Sequence, residues 1–219
     1  MRLFHRLENL LFPPKCVLCG KILEKTETDL CTACRTDSPE CAEKRRKLSF
    51  IADWVAVWYY ENAVRESILR FKFYGARGNA HAYGKFLAMA LERKEITDYD
   101  VLTWVPTGFW RKLRRGYDQV ELLAKAVGRE VGREPVQLLK KVRHTKPQSG
   151  IVGDAQRRAN VLGAYGLFPG AEVAGKRILL LDDVITTGAT ASEAARVLLT
   201  AGAETVYCGA VAMARREKK

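Results

Sequence analysis

No run in this 219-residue sequence approaches the ~18 consecutive apolar residues of a membrane-spanning helix, which excludes a helical membrane span. The start, Met1 to Pro14, carries basic residues but neither a long apolar stretch nor a small-residue cleavage site. A secretory signal is therefore not expected, and a cytoplasmic location is. No segment repeats along the chain, and no residue stands out as a general base. Acidic residues are few against basic ones, 25 Asp and Glu to 37 Lys and Arg, for a net charge of +12. That excess suits a polyanionic partner, either nucleic acid or a phosphorylated small molecule, and does not choose between them. A basic protein with no nucleic-acid partner stays open. What is present suffices for a core: 47% of residues are hydrophobic, in a length that allows one domain of moderate size plus a small one.

The stretch Arg177 to Leu198 organises the rest. Four aliphatic residues, Ile178 to Leu181, predict a strand buried on both faces, as in a parallel sheet. Asp182 and Asp183 follow at its carboxyl end, then a short Thr/Gly loop, then a helix with Thr190 and Glu193 in capping-box spacing. Open α/β sheets bind ligands at the carboxyl ends of their strands. Backbone N–H groups of a loop and helix start favour anions, and Gly188 lets the backbone approach a phosphate. Two adjacent carboxylates can accept hydrogen bonds from vicinal hydroxyls. The combination suits a ribose that carries a phosphate.

Leu179-Leu180-Leu181-Asp182-Asp183-Val184-Ile185-Thr186-Thr187-Gly188-Ala189-Thr190 resembles the phosphoribosyl pyrophosphate (PRPP) motif of type I phosphoribosyltransferases. The resemblance implies that Asp182 and Asp183 bind the ribose hydroxyls. It implies that Thr186, Thr187, Gly188, Ala189 and Thr190 hold the 5′-phosphate, with PRPP arriving as a magnesium complex.

Ahead of this domain stand two C-x-x-C pairs, Cys16/Cys19 and Cys31/Cys34, with eleven residues between Cys19 and Cys31. Four thiolates in two knuckles suit a closed, structural, tetrahedral Zn²⁺ site, with a small hairpin expected between them. Disulfides and a redox C-x-x-C are the competing readings, disfavoured by the cytosolic setting and by the duplication. Cys41 is a spare ligand candidate, and Cys208, in a late apolar strand, is expected in the core. Residues 1–48 are then expected as a zinc-ribbon-like module and 49–219 as the phosphoribosyltransferase-like domain. Between them, Glu43 to Lys47 is either a solvated linker or a phosphate-contacting patch.

In the second part, Trp54 to Tyr60 predicts a strand, and Asn62–Phe73 and Gly78–Arg93 two helices covering one side of the site. Lys72 either points at phosphate or snorkels off an apolar face, with snorkelling preferred. Val101 to Pro106 predicts a strand stopped by Pro106, then a loop to Gln119, then a helix from about Val120 to Glu130. Arg111, Lys112, Arg114 and Arg115 concentrate charge on that loop; they face a pyrophosphate or are merely solvated, and Trp110 beside them offers a stacking face. Val136 to Leu139 and Ala164 to Phe168 predict short strands, with a polar loop between them expected to be mobile. Thr205 to Met213 predicts a last strand, Gly202 a helix end, and the tail from Arg215 a frayed end.

Val105-Pro106, the basic stretch and Arg115-Gly116-Tyr117-Asp118-Gln119 narrow the resemblance to the ComF family of competence proteins, whose members commonly show Arg-Gly-Phe-Asn-Gln here. Thr145, Gln148, Arg157 and Asn160 match a further family pattern. The resemblance implies an α/β fold: a type I phosphoribosyltransferase-like parallel sheet flanked by helices, preceded by a small zinc-ribbon module. It implies binding of PRPP or a related phosphoribose in support of single-stranded DNA handling during natural transformation, alongside other competence proteins. An active phosphoribosyltransferase of unknown acceptor and a non-catalytic PRPP-sensing module are the alternatives.

Overall fold

A computed structural model of the chain describes residues 13–38, 40–43, 46–143, 145 and 153–215. The start up to residue 12, Lys44 and Arg45 of the basic run, the 146–152 part of the polar loop with Gln148, and the tail 216–219 lie outside it.

Four strands make one sheet in the order β1-β6-β5-β2, every neighbouring pair parallel: β1 (Trp54–Tyr59), β2 (Val101–Trp104), β5 (Arg177–Ile185) and β6 (Thr205–Met213). The aliphatic run explains the central position of β5. Leu179 and Leu181 enter an apolar cluster on one face, and Ile178 and Leu180 a second cluster on the other. On the first face lie α2 (Asn62–Phe73), α3 (Asn79–Arg93) and α5 (Gln119–Val131). On the second lie α7 (Ala189–Thr200) and a separate antiparallel pair, β3 (Leu139–Lys141) with β4 (Tyr165–Leu167). Between these two strands α6 (Asp154–Val161) packs on α7. Among the described residues, no helix is long and apolar enough to cross a membrane.

Several elements differ from their sequence-based expectation. The basic stretch is not all loop, since Phe109–Arg115 forms the short helix α4, closed by Gly116 in the left-handed conformation. β3 begins only at Leu139, the last residue of the apolar stretch that predicts it. Val136 and Leu138 instead bond back to β2, through the Leu102 carbonyl at 2.8 Å and the Thr103 hydroxyl at 3.3 Å. The expected capping box is absent. Gly188, at φ 82°, occupies the cap position of α7. Glu193 instead accepts from the Gly163 amide at 2.8 Å and from both ends of the Arg196 guanidinium at 2.8 Å.

The cysteine module and the sheet share packing. Val17 and Leu18 are buried in the same apolar cluster as Ile68, Phe71 and Tyr83. Ser67 donates to the Val17 carbonyl and Arg70 to that of Leu18, while Lys85 pairs with Asp29 at 2.8 Å.

The α3–α5 crossing is close because Gly84 has no side chain. A Cβ there would lie 2.6 Å from Ala126 Cβ and 2.7 Å from its carbonyl carbon. Alanine's better helix propensity favours Gly84→Ala by about 1 kcal/mol. Overpacking costs about 1–3 kcal/mol, and backbone cannot give way as a flexible side chain would. A net loss of stability is expected, visible as a fall in thermal midpoint of roughly 2–4 °C per kcal/mol; an unchanged or raised midpoint would mean that the helices part freely.

Candidate phosphoribose site and zinc cluster

β2 pairs with β5 only as far as Leu181, so beyond that residue one edge of β5 is open. Asp182 and Asp183 sit at this opening, still held on the other side by β6. The acidic pair is therefore within the assigned strand, but at the first position where β5 has lost a neighbour. Both carboxylates are buried. The Asp182 carboxyl is pushed up to about 8 by burial and then by the charge of Asp183, with the Lys72 ammonium pulling the other way. Asp183 is already engaged. Lys72 Nζ lies 2.7 Å from its Oδ1, and Gln119 Nε2 donates to its Oδ2 at 3.0 Å. Lys72 thus reaches the site from α2 and does not snorkel, because Asp183 offers a partner inside.

The network continues into α4. Arg115 donates to Gln119 Oε1 at 2.7 Å and stacks over Phe73 at 4.7 Å from the ring centroid. Arg111, one turn earlier, donates to the Thr145 carbonyl at 2.9 Å. Lys141 faces the same region from β3; burial first, and then Arg111, push its ammonium down to about 8, with Asp182 opposing. The structure thus brings Arg111, Arg115 and Lys141 toward the acidic pair, whereas Arg114 is exposed and makes none of these contacts. The side chain of Trp110 lies outside the described part. Asp118 acts locally. Its carboxylate caps α5, accepting from Val120 N at 3.0 Å and Glu121 N at 3.3 Å, and also from Thr107 N at 2.8 Å.

Thr186 to Thr190 carries the chain from β5 into α7. A strap from the cysteine module lies across this loop. Arg46, buried, donates to the Thr186 carbonyl at 2.8 Å and to the Ala214 carbonyl at 2.9 Å, and its own carbonyl accepts from Trp54 Nε1 at 2.7 Å. Leu48 occupies the space that a side chain at Gly188 would need. Sequence reasoning groups Arg46 with a basic run that is either a solvated linker or a phosphate-contacting patch, and passes over Leu48; Arg46 instead holds two backbone carbonyls. The signal for both is weak: a leucine two residues after an arginine, ahead of a predicted strand.

Cys16, Cys19, Cys31 and Cys34 form one cluster, with all four Sγ atoms within 4.8 Å of one another. Cys19 Sγ and Cys31 Sγ are 3.7 Å apart. Zn–S bonds of ≈ 2.3 Å in a tetrahedron require an S–S edge of about 3.8 Å, so the thiolates fit Zn²⁺. The knuckle at Cys16 closes through Gly20 N to the Cys16 carbonyl at 2.9 Å, beside an isolated bridge of Lys15 with Ile22. Cys31 and Cys34 ride on the start of α1 (Thr32–Asp37). The expected hairpin between the pairs is reduced to one bridge, Thr28 with Leu30. Cys41 lies outside the metal-ligand cluster and packs against the apolar cluster that contains Leu48, Trp54 and Ile185; Cys208 is core, within β6.

Among known proteins, a family model described as phosphoribosyl transferase domain matches residues 113–219, and one described as double zinc ribbon domain matches residues 7–46. The chain is 27% identical to Competence protein F of Haemophilus influenzae, over 91% of this chain and 97% of that protein. It is 27% identical to Competence protein ComFC of Streptococcus pneumoniae, over 88% of this chain and 96% of that one. It is 29% identical to DNA utilization protein YhgH of Escherichia coli, over 90% of this chain and 96% of that protein.

Proposed function

For a chain that belongs to the ComF family of homologues, with a double zinc ribbon ahead of a phosphoribosyl transferase domain, we propose binding of PRPP or a related phosphoribose in the service of single-stranded DNA handling. One observation carries this reading: a buried carboxylate pair, at the point where β5 loses a neighbour, faces cations from three separate elements. Vicinal ribose hydroxyls donate to Asp182 and Asp183. The 5′-phosphate lies on the loop from Thr186 to Thr190, where α7 begins and backbone N–H groups favour an anion. The diphosphate faces Arg111, Arg115 and Lys141. Burial disfavours the charge on Lys141 while no anion is present, so a bound diphosphate raises its proton affinity and is itself held more tightly.

Magnesium fits as a companion of the ligand. Lys72 and Gln119 occupy Asp183, so the protein offers few free carboxylate oxygens, and Mg²⁺ commonly binds through substrate phosphates while keeping several waters. Its chemistry there is neutralisation of the diphosphate charge. The relatives named for competence and DNA utilization support the DNA half of the reading.

Calorimetric titration of the zinc-loaded chain with PRPP and Mg²⁺ tests the first half. Saturable heat at one site per chain is the expected result, and no heat would remove the phosphoribose reading. Incubation with PRPP and a panel of nucleobases and amines then separates a transferase, which consumes PRPP, from a sensor, which does not.

A further inference from the structure

A concavity opens beside the loop from Thr186 to Thr190, and Thr187 and Ala189 of that loop form part of its wall. Its volume is ≈ 230 Å³, and Lys47, Phe50, Arg158, Leu162, Ser192 and Arg196 are among its walls. They come from the strap, from the end of α6, and from one face of α7. The acidic pair does not line it.

Two of its residues expose large apolar surface, Phe50 at 51% and Leu162 at 63%. Phe50 also has φ 64°. A bulky residue enters the left-handed region at a cost, and such strain gathers where function needs a side chain displayed. Here the strain presents an aromatic ring to solvent. Lys47 and Arg158 are exposed and have no ion-pair partner among the described residues. Arg196, by contrast, is tied to Glu193, and Glu193 to the Gly163 amide, so the groove has a fixed floor and two free cations on its wall. Displayed aromatic rings beside unpaired cations are how sequence-tolerant single-strand binders hold their ligand: a base stacks, and phosphates pair with the charges.

We propose that this groove is a subsite for single-stranded nucleic acid, in which one base stacks on Phe50 and the neighbouring phosphates pair with Lys47 and Arg158. The proposal rests on the reading that the chain handles single strands, and it gives that activity a place away from the acidic pair but adjoining the Thr186–Thr190 loop, with Thr187 and Ala189 shared between them.

The test is fluorescence anisotropy of a labelled single-stranded oligodeoxythymidine with the full, zinc-loaded chain at a series of salt concentrations. Phe50→Gly removes the ring at a position whose φ suits glycine. Its thermal midpoint should hold or rise, while affinity falls by about tenfold or more, as expected for loss of one stacked base. Lys47→Ala with Arg158→Ala should lower the log–log salt slope by about 1.4, or about 0.7 for each single-strand phosphate that is no longer neutralised. Should the parent bind while these variants bind as tightly and with the same slope, the groove is not the site and the broader DNA reading stands. Selective loss in Arg114→Ala with Arg115→Ala, with the groove variants intact, moves the site to α4 and overturns the proposal. A parent that binds no single strand even at low salt overturns both.

Discussion

Stripping zinc from the four-cysteine cluster is expected to unfold more than the ribbon that carries it. Four thiolates on one ion contribute on the order of 10–16 kcal/mol of apparent binding energy in structural sites, as large as the whole stability of a typical domain, about 5–15 kcal/mol. The cluster holds Val17 and Leu18 in place, and these lie in the apolar cluster that also contains Ile68, Phe71 and Tyr83. The Val17 and Leu18 carbonyls are acceptors for Ser67 and Arg70. With the metal removed, α2 and α3 lose partners that they do not replace. Hydrogen exchange after chelation under reducing conditions should therefore show lost protection in residues 13–38 and also in α2 and α3, while β5 and α7 are protected longer. Metal analysis of untreated protein should give one Zn²⁺ per chain. Protein purified under reducing conditions without zinc would refute the assignment, and loss of protection confined to 13–38 would refute the shared packing.

The acidic pair should separate binding from stability in opposite directions. A charged carboxylate that accepts from a ribose hydroxyl is worth about 1.5–3 kcal/mol, so Asp183→Asn should weaken PRPP roughly tenfold or more, whereas Asp182→Asn should cost affinity chiefly as pH rises through about 8, where the parent's carboxyl takes up its charge. Their effects on the free protein differ. The Asp182 carboxyl is raised to about 8, chiefly by burial, from an ordinary value near 3.9. Its contribution to stability is full below about pH 4 and is lost as pH rises through about 8, because the folded state disfavours the charge. Asp182→Asn removes that loss. The variant should melt above the parent at pH 8, and the advantage should shrink toward pH 4. Asp183→Asn leaves Lys72 without its carboxylate partner at a site where the two side chains are only 19% and 9% exposed, and so it should melt below the parent. Melting curves at pH 4, 6 and 8 check both signs. If both variants melt below the parent at every pH, the burial argument for Asp182 fails.

The strands and long helices are legible because their patterns are strong. Ile178 to Leu181 reads as a strand buried on both faces, and the structure sends alternate residues of it to two different clusters. β6 and α2 have the bounds expected of them. What sequence reasoning misses depends on partners far along the chain. Thr190 and Glu193 have capping-box spacing, but Gly163 and Arg196 compete for the glutamate and win it. Lys72 looks like a snorkelling lysine until Asp183, across the fold, is known to be within 2.7 Å. Asp118 stands where the ComF pattern commonly has Asn, and three backbone amides take up its carboxylate. Side-chain choices of this kind are set by tertiary neighbours, and local spacing carries little information about them.

The strap has a consequence for how the chain is made. Arg46 joins two carbonyls, those of Thr186 and Ala214, the second of them 168 residues further along. β1 has its sheet neighbour only in β6, the latest of the described strands in chain order, and β6 must also enter between β1 and β5. On the ribosome β1 is made long before β6, so it waits with the Glu40–Trp58 bridge and the Cys41 N–H bond to the Val57 carbonyl on one edge, and its other edge stays unpaired until β6 emerges. Until β6 arrives, Arg46 has nothing to grip on that side and Leu48 has no completed wall to press against. The Thr186–Thr190 loop thus takes its final form only after β6 has been made, although Arg46 and Leu48, which hold it, are translated well before it.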